Sequence, residues 1–293
     1  MIELNVTTTP QNGFWAQLRR LPRAWVGAAM IVAVTLAAVL APILSPADPL
    51  QQFRDGLTDT GVPLPPGAQF PLGTDHLGRD MLSRMLYGAQ ISLAISLIAN
   101  ITAAFFGTLV GLYAGYYAGI LDTILMRLTD VLLAFPAILL ALGLGSVLRP
   151  SVPVVILILT VITWPTIARL VRSQVLTIRE RQFVESARCI GATHSQIIFR
   201  HILPQIITVT VVCSTLSFAS TILIESSLSF LGVGVPLPAA SWGNMIAEGQ
   251  SRYRIAPWMI LVPTLGILIT TLGFNLLGDA VRDALDPRTS QRM

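Results

Sequence analysis

Few side chains in this sequence could do covalent or metal chemistry. The three histidines are His76, His194 and His201. His194 and His201 stand seven positions apart, roughly on one helical face, with no third ligand beside them and no HExxH spacing. Cys189 and Cys213 are 24 positions apart and form no CxxC pair, so they read as two small apolar side chains. All 19 basic residues are arginine. A chain without lysine cannot hold the lysine of a GxxxxGK[ST] phosphate loop, so it cannot hydrolyse ATP through one. These residues predict no catalytic group, no metal and no cofactor in this chain.

What remains is charge placed in an apolar setting. Of 293 residues 53% are hydrophobic and only 12% charged, against about 25% charged in a soluble domain. Apolar runs lie near 24–44, 90–113, 124–147, 152–172, 205–231 and 257–278. Each approaches the roughly 20 residues a helix needs to cross about 30 Å of hydrocarbon, and none alternates as a barrel strand would. The expectation is an all-α membrane protein with six transmembrane helices. The first run follows Arg19, Arg20 and Arg23 as a signal peptide would, but Ala24–Leu44 is too long for one and is read as retained. With both termini in the cytoplasm, 13 arginines lie inside and 6 outside, which favours that orientation. The organisation expected is a cytoplasmic segment 1–23, a first span 24–44, an external segment 45–87, a core 88–281 and a tail 282–293. Membrane lipid is an expected partner, nucleic acid is not.

One stretch does not fit its greasy surroundings: VESARCIGATHSQIIFRHILPQ, residues 184–205. Residues 179–188 read as a short polar helix in which Glu185 can meet Arg181 and Arg188. Gly191 suits the left-handed turn that ends it. Thr193 and Gln196 form a capping-box pattern that starts another helix, and Pro204 marks the last break before the fifth span. The result is a helix, a glycine elbow and a helix, emerging between spans four and five. Ser186 and Ala187 beside the elbow offer a small-residue surface that could enter a groove on another protein.

The spans carry their own signals. Gly107, Gly111, Gly115 and Gly119 recur every four residues, a stripe along which another helix can approach closely. Pro136, Pro165 and Pro263 are candidate kinks. Among polar residues at membrane depth, Asp130 is a candidate for the pathway or gate and is also expected to pair with Arg127, and Asp122 to lie near the cytoplasmic edge. Asn100 and Asn275 are expected to bond across helices. Glu225 should lie near the outer face, either meeting a solute amine as part of a pathway or gate, or pairing with Arg252 or Arg254. Trp242 and Trp258 fall where an outer aromatic belt would place them. Asp75, Arg79 and Asp80 give ion-pair and capping options before the second span.

The spacing Glu185-Ser186-Ala187, three residues, Gly191, nine residues, then His201-Ile202-Leu203-Pro204 resembles the EAA loop (182–204) of ABC importer permeases. Ser186 and His201 depart from its general form, and the latter looks like the R-H-I-L-P variant of peptide permeases. The stretch PLGTDHLGRDMLSRMLYGAQISL (71–93) resembles the C-type permease of the dipeptide/oligopeptide/nickel branch, as do 128–142 and 225–246. The resemblance implies that Glu185, Ser186, Ala187, Gly191, Leu203 and Pro204 form a coupling element docking on an ATPase. It implies a second, B-type permease subunit, two ATP-binding subunits that use ATP and Mg, and an extracytoplasmic solute-binding protein. The setting would be a bacterial or archaeal plasma membrane. The same signatures serve peptides, nickel chelates and glutathione, so the solute stays open. A stand-alone secondary transporter would show internal repeats and midplane charges, and a membrane enzyme a convergent site; neither pattern stands out.

Overall fold

A computed structural model describes residues 14–285, and every regular element in that range is helical. The N-terminal part forms α1 (Phe14–Arg20), α2 (Pro22–Val39) and α3 (Ala41–Leu44). α4 (Met81–Tyr117) starts well before the apolar run that foreshadows it, because the Asp80 side chain caps it by accepting the Ser83 N–H at 2.7 Å. At about 1.5 Å per residue its 37 residues reach roughly 55 Å, so it overshoots a bilayer core. α7 (Val152–Ile178), α10 (Leu203–Phe230) and α12 (Trp258–Leu285) complete the long helices. Among the described residues, five helices are long and apolar enough to cross a membrane unaided.

The run at 124–147 departs from expectation. It does not form one span but α5 (Gly119–Ala134) and α6 (Ala137–Val147), bent by 92°. Phe135 before Pro136 is forced into extended backbone (φ −85°, ψ 138°), which ends the helix instead of merely kinking it. Counted as one broken span the pair brings the number of spans to six. Pro165 and Pro263, by contrast, stay inside α7 and α12.

Between α7 and α10 stand α8 (Gln182–Cys189) and α9 (His194–Gln196). Pro204 does sit in the first turn of α10, but no break precedes it. Helix continues from His194 to Phe230 through a π-helical turn at Ile197–Ile202. Pro204 has no N–H for the carbonyl four residues back, and the widened turn just before it relieves the clash without ending the helix. At the other end of the bundle α11 (Trp242–Gly249) joins α10 to α12.

Among the described residues, three apolar cores hold these helices together. One joins the insert to α4 and α7, through Leu112, Val171, Val175, Val184, Ile198 and Ile202. A second gathers α2, α4, α10, α11 and α12 around Trp242, and a third joins α4, α6, α7 and α10 around Ile158 and Leu228. Trp242 is completely buried, so it is a core residue and not part of an aromatic belt. Trp258 likewise serves structure, its indole N–H donating to the Thr74 carbonyl at 3.0 Å.

Candidate functional site

The insert is built as its sequence suggests at the elbow. Gly191 adopts φ 81°, the Ala192 N–H reaches the Ala187 carbonyl and the Gly191 N–H the Arg188 carbonyl, both at 3.0 Å. This is the paired bonding of a glycine-terminated helix. The capping box forms in both directions: Thr193 N–H donates to Gln196 Oε1 at 2.9 Å, and Gln196 N–H to Thr193 Oγ1 at 3.3 Å.

The two faces of the insert differ. Val184, Ala187, Ile197, Ile198 and Ile202 turn inward onto α4 and α7. Ala187 is therefore part of the chain's own core, only 4% exposed, and not of an outward small-residue surface. The outward face carries Glu185, Ser186, Gly191 and Ile190, the last 85% exposed. Leu203 is half-buried and Pro204 exposed. Glu185 forms no ion pair among the described residues, with Arg181 and Arg188 or otherwise, and Cys189 is exposed rather than packed.

Two polar ties bind the insert to the end of α4. Arg179 donates to the Gly115 carbonyl at 3.0 Å, satisfying an acceptor that the helix end leaves open. The Tyr116 hydroxyl and His194 Nδ1 are 2.7 Å apart, with the ring of Tyr117 also against the imidazole. His194 thus has a structural partner in Tyr116. Neither tie could be read from sequence, since the partners lie 64 and 78 positions apart.

Along α4 the glycine stripe meets α7. A Cβ added at Gly107 would stand 2.8 Å from Ile167 Cβ, one at Gly115 2.7 Å from Val175 Cβ, and one at Gly111 would strike the Ala168 carbonyl. Gly119 does not belong to the stripe. The helix has already turned away at Ala118 and Gly119, both at positive φ, and a Cβ at Gly119 would meet nothing.

The expected Arg127–Asp130 pair does not form. Asp130 binds Arg169 of α7 at 2.8 Å, and Asp122 binds Arg172 in a fork at 2.5 and 2.6 Å. Three residues of spacing on one helix lost to a partner on the adjacent helix. Glu225 stands near the end of α10 remote from the insert, as its distance from Pro204 suggests, but its side chain is fully enclosed. Its carboxyl meets Ser229 Oγ at 2.9 Å and Ser226 Oγ at 3.3 Å, and neither Arg252 nor Arg254 pairs with it. Asn100 does bridge helices, donating to the Ser214 carbonyl of α10 at 2.8 Å, whereas Asn275 is exposed.

Outside the spans, residues 45–80 fold on a buried charge knot. Asp75 binds Arg79 Nε at 2.5 Å and also Arg84, while Glu248 of α11 binds Arg79 at 3.0 Å and Arg84 at 2.5 Å. Two carboxylates face two guanidiniums, so the knot is neutral. Burial alone would raise the Asp75 carboxyl, but Arg84, the Arg79 and Leu77 amides and the Arg79 guanidinium outweigh it and hold it below the ordinary range. His76 is pushed down, by burial first and then by Arg79 and Arg84, against the pull of Asp75 and Glu248. Asp75, His76 and Glu248 come within 4.8 Å of one another as metal ligands would, but the two arginines occupy the carboxylates and leave no net negative charge for a cation. The sequence pointed to Asp75 and Arg79; Glu248, over 160 positions away, gave no signal.

Residues 107–291 match the family model for the binding-protein-dependent transport system inner membrane component, and 9–66 match the N-terminal TM domain of oligopeptide transport permease C. This chain belongs to that family of ABC importer permeases. It is thus a non-catalytic permease-type subunit and a bacterial multi-pass plasma-membrane protein. A putative peptide transport system permease protein of Brucella suis is 44% identical over 266 residues, 90% of this chain and 87% of that one. The glutathione transport system permease protein GsiD of Salmonella typhimurium is 44% identical over 280 residues, 96% of this chain and 91% of that one. In fold, the permease resembles an inward-facing structure of the MetNI methionine ABC transporter, with a TM-score of 0.56 and 23% identity, over 70% of this chain and 98% of that one.

Proposed function

We propose that this permease forms half of the translocation pathway of an ATP-driven importer of di- and oligopeptides, and that the loop 182–204 receives the ATPase stroke. The observation that carries the coupling role is the two-faced insert. An apolar face is seated on α4 and α7, while Glu185, Ser186, Ile190 and Gly191 stand free at a rigid elbow. A rigid block held on two long helices can pass a push into both, biasing a bundle between two states. The insert end is read as cytoplasmic, with both termini on that side. The partners are a B-type permease, two ATP-binding subunits that hold ATP and Mg, and an extracytoplasmic solute-binding protein.

Peptide as the solute is supported by the C-type permease signature at 71–93 and by the relative named for peptide transport. Glutathione is the second reading, favoured by an equal identity over a longer stretch of the chain. Asp130 is assigned to the pathway, whereas the enclosed Glu225 is assigned to packing.

The test is a C-terminally tagged complex extracted in mild detergent, with Gly191→Asp beside the wild type. Co-purification of ATP-binding subunits and a second permease with the wild type, and loss of the ATPases alone in the variant, is the expected result. A variant that retains its ATPases and normal peptide uptake refutes the docking role.

A further inference from the structure

The polar groups of α5 and α7 line an open cleft of about 400 Å³, bordered by Asp122, Thr123, Met126, Arg127, Asp130, Arg169 and Arg172. Counted from the helix ends nearest the insert, Asp122 lies about 5 Å, Arg172 about 9 Å, Arg169 about 14 Å and Asp130 about 17 Å into the bundle. The cleft therefore climbs from the insert end to membrane depth. Arg169 and Asp130 are 54% and 53% exposed there. Charges so exposed at that depth belong on a water-filled cavity and not against lipid, where each would cost several kcal/mol. Three guanidiniums face two carboxylates, and among the described residues Arg127 makes no ion pair.

We infer that this cleft is a wet section of the solute passage, and that Arg127 gives it a surplus positive charge that receives the carboxylate of the passing solute. The ligand class is an organic anion, met both in a peptide with a free C-terminus and in glutathione. The inference rests on the proposed pathway. Arg169 and Arg172 are already engaged by Asp130 and Asp122. They shape the cleft, and the uncompensated charge is that of Arg127. The competing occupant of this face is the second permease, packed against it without water.

The two are separated by charged thiol reagents applied to the full complex in membranes. Cys189 and Cys213 are first replaced by alanine, then Met126→Cys is introduced, with Thr123→Cys as a second reporter should the first fail to assemble. Two methanethiosulfonates are used, one bearing a sulfonate and one a quaternary ammonium, each rate normalised to that with a free thiol. The expected result is labelling by both, faster with the sulfonate, and a fall in the sulfonate-to-ammonium ratio in Arg127→Gln that Arg127→Lys prevents. One unit charge at about 6 Å in a watery medium changes each rate roughly threefold in opposite senses, hence the ratio roughly tenfold. Absence of labelling at both reporters, with and without ATP, means the face is sealed by the second permease and overturns the inference. Labelling with a ratio indifferent to Arg127→Gln overturns the anion assignment. Labelling with the expected ratio supports the cleft even where ATP-binding subunits fail to co-purify, an outcome that sinks the proposed coupling alone.

Discussion

His194 Nδ1 and the Tyr116 hydroxyl stand 2.7 Å apart, so the helix after the glycine elbow is tied to the last turn of α4. Arg179, entering the insert from α7, binds the same turn through the Gly115 carbonyl. The insert is thus held to α4 before and after its elbow, and α4 is held to α7 by the glycine stripe.

Tyr116→Phe removes the tie to His194 while keeping the ring. The expected cost in stability is about 1 kcal/mol, the net worth of one hydrogen bond. The complex should assemble with its ATPases but consume more ATP per solute moved. The ratio of hydrolysis to uptake in proteoliposomes reads this directly, and an unchanged ratio would show that the tie carries no motion.

Gly111→Val places a Cβ against the Ala168 carbonyl of the α7 backbone and adds two methyl groups beyond it. Forcing the helices apart should cost roughly 1–3 kcal/mol. Gly119→Ala meets no neighbour, so its cost is confined to a positive-φ residue and should be about 1 kcal/mol. Thermal unfolding in detergent should rank Gly111→Val clearly below Gly119→Ala. The reverse order would mean α4 and α7 are not packed along this stripe.

Arg84→Gln leaves Asp75 and Glu248 with one cation between them in a buried site. Breaking one partner of a buried ion pair costs about 3–5 kcal/mol, because the remaining charge is stranded. Loss of folded protein by fluorescence-detected size exclusion is the expected readout. Pairing it with Glu248→Gln, which restores neutrality, should recover part of the loss.

Acid should loosen the 45–80 segment in two steps. His76 has its folded value below the ordinary 6.5, so the unfolded segment binds the proton more readily and stability falls as pH drops below 6.5. Asp75 is held below its ordinary 3.8. Its contribution is fully present above that value and is lost as pH falls through the lower folded one. Hydrogen exchange across residues 45–80 should therefore quicken first below 6.5 and again below about 4. His76→Asn should flatten the first step and leave the second, and a first step that survives this change would assign it elsewhere.

The elbow illustrates what sequence alone settles. Gly191, the Thr193–Gln196 box and the Asp80 cap act within a few residues, so spacing specifies them completely. The apolar runs likewise fix the long helices apart from the one at 124–147, because a bilayer demands about 20 such residues whatever their neighbours. Pro136 signalled a disturbance, though only the folded chain shows the 92° bend. Partner choice belonged to the tertiary structure. Asp130 took Arg169 over Arg127, Glu248 took Arg79 and Arg84, Ala187 turned inward and Trp242 became core. Each outcome depends on which helix lies alongside, and a one-dimensional pattern does not encode that adjacency. The sequence by itself determined the helices, their caps and the family. Only the packing of α4, α5, α7 and α11 decided which charges are neutralised and which, like that of Arg127, remain to act.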